Sequence, residues 1–280
     1  MTVTRIGAVG YLNTRPLVYG LASDTHVSVR FDVPSTCAAL LHAGDVDVAM
    51  IPSIEYLRGE YRIVPGVAIT SLGAAASVAL FTQVPVERIR KVALDTSSRT
   101  SVALLKVLCA ERFGISPAFE AHGPAIEDML RVADAALLIG DPCLYADAAG
   151  LGARKIDLGE EWLAHTGLPF VFAFWAGRPS VDAATCRRLQ QARDRGVLAI
   201  DEIARDYAAG DPARERIARD YLRHNMKYDL ADPHVQALRR FYAASAAIGL
   251  VPAAREPLFV DDADLAGHGE VCTGARGHDR

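Results

Sequence analysis

The sequence lacks three features that by themselves indicate a class of protein: paired cysteines, a basic excess and a long apolar run. Its five cysteines lie far apart and form no CxxC pair, so neither a disulfide framework nor a zinc site is indicated, and we expect reduced, buried thiols. Lysine and arginine number 30 against 34 aspartates and glutamates, whereas nucleic-acid backbones attract a basic excess. No apolar run approaches the roughly 20 residues that cross a bilayer. We therefore expect neither a nucleic-acid nor a membrane partner.

Targeting and common catalytic signatures are also missing. The start, MTVTRIGAVGYLN, has no basic segment followed by an apolar stretch and no lipidated cysteine, so we expect a cytoplasmic protein rather than a transporter's solute-binding protein. Too few residues precede the first predicted strand for the helix-turn-helix of a transcription regulator. The chain contains no GxGxxG, GxSxG or HExxH motif, which argues against nicotinamide, hydrolase and zinc-peptidase chemistry.

The chain does have the composition of a globular protein, with 51% hydrophobic residues, 22 glycines and 14 prolines. Short β-rich runs alternate with helical patterns up to residue 177, which predicts an α/β protein with mainly parallel sheets. Two early helices are expected at 35–43 and 100–113, each followed by a glycine. After residue 180 the spacing of apolar residues predicts amphipathic helices. The tail 267–280 shows no periodicity and is predicted to be disordered.

Two segments share one pattern: an acidic residue, an apolar strand, and a turn residue that opens a helix. They are 45–53, ending at Ser53, and 132–141, ending at Asp141. If each lies in its own lobe, a ligand cleft runs between them, because ligands of open α/β sheets bind beyond the carboxyl ends of the strands. The alternative is a chance repeat of a common element. The two-lobe interpretation predicts lobe I at 1–80 plus 174–266 and lobe II at 81–173, with chain crossings near 78–82 and 172–176.

The segment YLNTRPL at 11–17 follows the first predicted strand directly. An asparagine at a strand end offers both amide donors and a carbonyl acceptor to an oxygen-bearing ligand, so Asn13 is a candidate site residue. Pro16 is expected to open the following helix. The alternative is that Asn13 and Thr14 only cap that helix.

A second candidate is the helix start at 95–101, with five hydroxyls and one arginine. Free N–H groups, the positive end of the helix dipole and hydroxyls favour an anion, and without a phosphate-binding loop a carboxylate is the natural one. The candidates there are Ser98, Thr100 and Ser101; the alternative is ordinary capping with the arginine solvated. Ser77, after the small residues 73–76, is a third candidate, with close packing as its alternative.

Several motifs together resemble one enzyme family. They are IGAVGYLNTRPL (6–17), GDVDVAMIPSIEY (44–56), LDTSSRTS (94–101), IGD (139–141) and TGLPFVFA (166–173). In these segments the chain resembles the chorismate dehydratases of the futalosine-dependent menaquinone pathway, over about residues 5 to 250. The YLN and SRTS pair carries most of the specificity, whereas many binding proteins share the GDVDVAMIPS element.

The resemblance implies a periplasmic-binding-protein-like fold of type 2, with two lobes and a ligand cleft between them, used as a cytoplasmic lyase. It implies that the dicarboxylate chorismate loses water to give 3-[(1-carboxyvinyl)oxy]benzoate, and that neither metal nor redox cofactor takes part. Asn13 and Ser77 match active-site residues, while Ser53, Ser98, Thr100 and Ser101 would bind substrate carboxylates and Asp141 would line the second lobe. The matched motifs contain no evident base, which suggests that a carboxylate of the substrate accepts the proton.

Two other functions stay open at this point. One is the sister enzyme of the same pathway, which forms 1,4-dihydroxy-6-naphthoate. The other is a carboxylate-binding protein without catalysis. A homodimer is possible in either case, and the helical C-terminal third is where its contacts would lie.

Overall fold

Ten strands form two five-stranded sheets in the computed structural model, which describes residues 3–260. The first sheet contains β1 (Thr4–Val9), β2 (Val27–Asp32), β3 (Val48–Pro52), β4 (Arg62–Ser71) and β10 (Phe170–Gly177). The second contains β5 (Val78–Thr82), β6 (Lys91–Asp95), β7 (Ala118–His122), β8 (Ala135–Ile139) and β9 (Arg154–Asp157). The β-rich runs predicted up to residue 177 are thus strands, and the apolar stretch at 63–80, which reads as one run in the sequence, is divided into β4 and β5.

The two sheets have the same kind of topology. Their strand orders are β2-β1-β3-β10-β4 and β7-β6-β8-β5-β9. In the first sheet β10 is antiparallel to both neighbours, and in the second β5 is. The sheets are therefore mixed rather than mainly parallel. The physical reason is that β5 and β10 are the strands that the chain enters after crossing at the cleft, so they run away from it.

The chain crosses between the sheets twice. It leaves the first sheet after Ser71 and enters the second at Val78, and it returns between Asp157 and Phe170. The boundaries expected at 80/81 and 173/174 fall inside β5 and β10, a few residues after these crossings. The first crossing contains two residues with positive φ, Gly73 at 98° and Ala76 at 61°, which end the extended backbone of β4.

Helices cover the sheets and build the C-terminal third. They are α1 (Pro34–Ala43), α2 (Arg99–Leu108), α3 (Ile126–Val132), α4 (Asp141–Leu144), α5 (Leu158–Thr166), α6 (Ala183–Leu198), α7 (Ile200–Ala208), α8 (Pro212–Asp220) and α9 (Asp232–Ala247). A π-helical turn, Cys109–Phe113, extends α2 over the predicted 100–113, and another, Tyr221–Asn225, extends α8. The amphipathic helices predicted after residue 180 are confirmed. The predicted disorder at 267–280 lies outside the described residues.

One cluster of buried apolar side chains connects both sheets. It includes Ile6 and Met50 from the first sheet and Leu80 and Leu137 from the second. A smaller cluster on the other face of the second sheet packs that sheet against α3. Because the main core is continuous across the crossings, its packing fixes the strand ends that face the cleft.

The four described cysteines are free and buried, as expected for thiols that behave as small apolar side chains. Burial raises the pKa of the Cys37 thiol to about 12 and that of Cys186 to about 11, so both stay protonated at neutral pH. No helix in the part of the chain that the structure describes is long and apolar enough to span a bilayer.

Candidate active site

A partly enclosed cavity lies between the two sheets. Its walls include the carboxyl ends of β1, β3, β4 and β8, where ligands of open α/β sheets bind, together with the starts of β5, β10 and α2. The lining residues are Val9, Tyr11, Asn13, Pro34, Pro52, Ile69, Ser77, Val78, Ser98, Ser101, Ile139, Gly140, Phe172, Ala173 and Met226. The cavity thus brings together four of the predicted site residues: Asn13, Ser77, Ser98 and Ser101.

Asn13 reaches the cavity from a short 3₁₀ helix, Leu12–Val18, that follows β1 directly. It lies inside this helix, and the residue at the cap position is Tyr11, which makes no capping side-chain hydrogen bond. Capping therefore does not explain Asn13. Pro16 also lies inside the helix and does not open it as predicted, because the helix starts four residues earlier, at the end of the strand.

Ser77 reaches the cavity at the end of the first chain crossing. The carboxylate of Asp157 accepts hydrogen bonds from the backbone N–H groups of Ala75 (2.9 Å) and Ala76 (2.6 Å). These bonds hold Ala76 in the left-handed region, which costs a residue with a side chain about 1 kcal/mol or more. The Ser77 hydroxyl lies 2.7 Å from the hydroxyl of Tyr221. Its position is thus set by contacts from two distant parts of the chain.

The start of α2 is the polar end of the cavity. Ser98 occupies the cap position but makes no capping side-chain hydrogen bond, and its oxygen accepts from the Ser101 hydroxyl at 3.2 Å. The first N–H groups of a helix have no partner within it, and they carry the positive end of the helix dipole. The structure therefore joins two hydroxyls and a helix N-terminus at one wall, a suitable site for a carboxylate.

Arg99 is partly exposed, but it is paired and not free in solvent as the capping alternative assumed. Its guanidinium donates to the carboxylate of Glu55 at 2.6 Å, and Glu55 is fully buried. The ring of His42 also lies within 2.9 Å of this carboxylate. Arg99 therefore ties the start of α2 to the turn after β3 and does not line the cavity.

Ser53 and Thr100 lie behind the cavity wall. The Ser53 hydroxyl donates to the carbonyl of Val171 at 2.8 Å, and Thr100 Oγ1 accepts from the backbone N–H of Ile54 at 3.1 Å. Both side chains are fully buried. Since their polar groups already have protein partners, the geometry gives them a role in joining β3 to α2, and not in binding the carboxylates as the sequence suggested.

Asp141 also lies outside the lining residues, although its neighbour Gly140 lines the cavity. Its carboxylate accepts from the backbone N–H of Leu12 at 3.0 Å and from the Tyr207 hydroxyl at 2.9 Å. Burial raises the pKa of Asp141, and the hydrogen bond from Leu12 opposes that rise. Asp141 thus bridges the second sheet to the turn that carries Asn13.

Gly140 is required by close packing at this wall. Its φ is 70°, and an added Cβ would come within 2.7 Å of the Tyr11 ring. The Tyr11 hydroxyl in turn donates to Ser97 Oγ at 3.1 Å. Tyr11 therefore closes the cavity across the two lobes, a role that sequence reasoning did not assign although the residue lies in the YLN motif.

The sequence also gave no signal for Tyr221 and Met226. Tyr221 lies where the pattern predicts only an amphipathic helix and Met226 directly after it, yet Met226 lines the cavity and Tyr221 contacts Ser77. No charged side chain occurs among the described lining residues, and burial raises the pKa of Tyr11, their one phenol. Residues 3–260 contain no group of three or more His, Cys, Asp or Glu arranged to hold a metal ion.

Comparisons with known proteins identify the family. A family model described as menaquinone biosynthesis matches residues 4–247. A chorismate dehydratase of Thermus thermophilus is 32% identical over 258 residues, covering 85% of this chain and 94% of that protein. One of Campylobacter jejuni is 28% identical over 252 residues, covering 87% and 98%.

A likeness to solved structures identifies the fold. The periplasmic aliphatic sulphonate binding protein of Escherichia coli superposes with a TM-score of 0.60 at 18% identity, covering 100% of this chain and 98% of that one. At this identity the likeness concerns the fold alone. The chain is therefore a member of the menaquinone biosynthesis family, built on a periplasmic-binding-protein-like fold.

Proposed function

We propose that this protein is a chorismate dehydratase, a carbon–oxygen lyase that removes water from chorismate. The observation that carries the proposal is the cavity: Asn13, Ser77 and the N-terminus of α2 converge there. Two relatives named chorismate dehydratase support it, since this chain matches 94% and 98% of their length. The ring carbon bearing the enolpyruvyl ether loses a proton, and the neighbouring carbon loses hydroxide. The new double bond completes the aromatic ring of 3-[(1-carboxyvinyl)oxy]benzoate.

The start of α2 is the proposed carboxylate site. Ser98 donates a hydroxyl hydrogen bond, Ser101 supports it by donating to Ser98 Oγ, and the first-turn N–H groups add the positive end of the helix dipole. These donors are neutral and leave no fixed cation beside the ring. In this proposal the apolar side chains of Val9, Ile69 and Phe172 contact the hydrocarbon part of the substrate. The substrate is thereby oriented with its hydroxyl toward Asn13 and Ser77.

The proton acceptor in this proposal is the enolpyruvyl carboxylate of the substrate. The described lining residues offer no carboxylate, imidazole or amine, and a base has to lie within hydrogen-bond reach of the proton it removes. Asn13 then orients the hydroxyl or the enolpyruvyl group, and Ser77 donates to the oxygen that leaves. The protein contributes mainly by holding one reactive geometry away from water.

The decisive experiment mixes the purified protein with chorismate, without added metal or nucleotide, and follows the product by mass and ultraviolet absorbance. We expect an aromatic product lighter by one water that keeps its enolpyruvyl group. Asn13→Ala and Ser77→Ala should each lower kcat at least 100-fold with the fold intact, because both remove a group that orients the reacting oxygens. Gln83→Ala removes an exposed amide on the second sheet and should keep full activity.

Other outcomes of the same experiment favour the alternatives. Unchanged chorismate with a raised melting temperature would favour a binding protein, and no thermal shift at all would favour the sister enzyme. Near-normal turnover by Asn13→Ala would refute that residue's role while leaving the reaction in place. Cytoplasmic location and a homodimer remain predictions, which cell fractionation and light scattering test.

A further inference from the structure

Tyr221 contacts one of the proposed catalytic residues, Ser77, from outside the cavity lining. It begins the π-helical turn Tyr221–Asn225 and is 2% exposed. Its hydroxyl lies 2.7 Å from Ser77 Oγ. Burial raises the pKa of Tyr221, and the hydrogen bond with Ser77 offsets only part of that rise. The phenol is therefore neutral and has one hydrogen to donate.

The direction of these hydrogen bonds decides what Ser77 presents to a ligand. If Ser77 donates to Tyr221, only its lone pairs face the cavity; they repel a carboxylate oxygen and cannot donate to the oxygen of a leaving hydroxyl. A buried phenol that leaves its hydrogen unpaired loses a hydrogen bond, and Ser77 Oγ is an acceptor within reach, so the Tyr221 hydrogen points at Ser77 Oγ. The Ser77 hydrogen then points into the cavity, where the substrate's oxygens accept it. A chain of donors in one direction also strengthens each bond in it.

We infer that Tyr221 is a positioning residue that donates to Ser77 and so makes the Ser77 hydroxyl a donor toward the leaving oxygen. The inference rests on the proposed dehydration, since it assigns Tyr221 a part in that reaction. Tyr221 acts through Ser77 and not through direct contact with the substrate. Its contribution is therefore to kcat, and it disappears when the Ser77 hydroxyl is absent.

The test is a double-mutant cycle with Tyr221→Phe and Ser77→Ala in the full-length protein. Loss of one oriented hydrogen bond predicts that Tyr221→Phe lowers kcat about tenfold, with KM within about twofold of wild type. In the Ser77→Ala background, Tyr221→Phe should change nothing further. If Ser77→Ala is too slow for steady-state assay, single-turnover conversion with protein in excess, followed by mass over hours, keeps the cycle readable.

Tyr228→Phe is the matched control. Tyr228 is also buried, it lies seven residues further along the chain, and its hydroxyl has no hydrogen-bond partner among the described residues. We expect it to keep kcat within about twofold of wild type. Equal losses of kcat in Tyr221→Phe and Tyr228→Phe would mean that removing any buried phenol hydroxyl lowers activity, which would overturn the inference.

Two further results would also overturn it. If Tyr221→Phe keeps full kcat, or lowers it equally with and without the Ser77 hydroxyl, Tyr221 has at most a structural role. Wild-type protein that does not convert chorismate would instead refute the proposed function and this role with it. The wild-type measurement in the same series separates the two failures.

Discussion

At the scale of single residues, two carboxylates of this protein lie in opposite electrostatic environments. Asp95, at the end of β6, is 2% exposed; burial raises its pKa, and its Oδ2 has no hydrogen-bond partner among the described residues. Asp47 forms an ion pair with Arg5 at 2.7 Å, and this hydrogen bond lowers its pKa. The two residues should therefore affect the pH dependence of stability with opposite signs.

The expected result follows from proton linkage. The folded protein binds a proton at Asp95 more tightly than the unfolded protein does. The contribution of Asp95 to the free energy of unfolding therefore rises as pH falls from 7 through the raised pKa toward 3.8. Wild type should therefore gain stability relative to Asp95→Asn on acidification. For Asp47 the stabilisation is present above 3.8 and is lost below it, so wild type should lose stability relative to Asp47→Asn. Urea unfolding between about pH 7 and 3 measures both differences; the same sign for both pairs would contradict the assignment.

At the scale of elements, one side chain holds the first chain crossing in place. Asp157 caps α5 by accepting from the N–H groups of Gly159 and Glu160, and it also accepts from Ala75 and Ala76. Lys155 donates to the Ala76 carbonyl at 2.7 Å. The end of β9 and the start of α5 thereby fix the backbone immediately before Ser77.

Asp157→Ala should therefore cost more than the loss of a helix cap. We expect about 3 kcal/mol of unfolding free energy, because four N–H groups lose a charged acceptor. The matched control is Asp211→Ala, since Asp211 caps α8 by accepting only from the N–H groups of Ala213 and Arg214; we expect it to cost about 1 kcal/mol. Urea denaturation compares the two, and equal losses would show that the crossing does not depend on Asp157.

At the scale of the whole molecule, hydrogen bonds across the cleft hold the two lobes together. The backbone N–H of Ser35 donates to the carbonyl of Ser97 at 3.0 Å, and the Tyr11 hydroxyl donates to the Ser97 side chain. On the other side, Asp141 accepts from Leu12 at 3.0 Å. Contacts of this kind break when a bilobal protein opens by a hinge at its crossings.

Asp141→Ala should weaken closure without removing a group from the cavity lining. We expect KM for chorismate to rise about tenfold with a smaller change in kcat, because the closed, binding-competent form becomes less populated. Small-angle scattering should show ligand-induced compaction in wild type and less of it in the variant. The control is Asp147→Ala, whose exposed carboxylate accepts only within its own lobe, from Gly150. Identical scattering with and without ligand in wild type would argue against hinge closure.

The sequence by itself determined the strands, the two early helices and those after residue 180, the family and four residues of the cavity. Alternating runs with glycine stops define elements because backbone hydrogen bonding and burial depend on neighbours a few positions away. Asn13, Ser98 and Ser101 lie in the turn or helix that follows a strand, and the carboxyl ends of parallel strands face the ligand in this kind of fold. Their positions could be predicted from local information for that reason.

Only the tertiary structure decided which polar groups are free to meet a ligand. Ser53, Thr100 and Asp141 have the right chemistry and the right place in sequence, but partners from other elements already occupy them. Tyr221 has no local signal, and it meets Ser77 across 144 positions of the chain. Periodicity predicts which face of a helix is buried, whereas the packing of the whole core determines which side chains that face contacts.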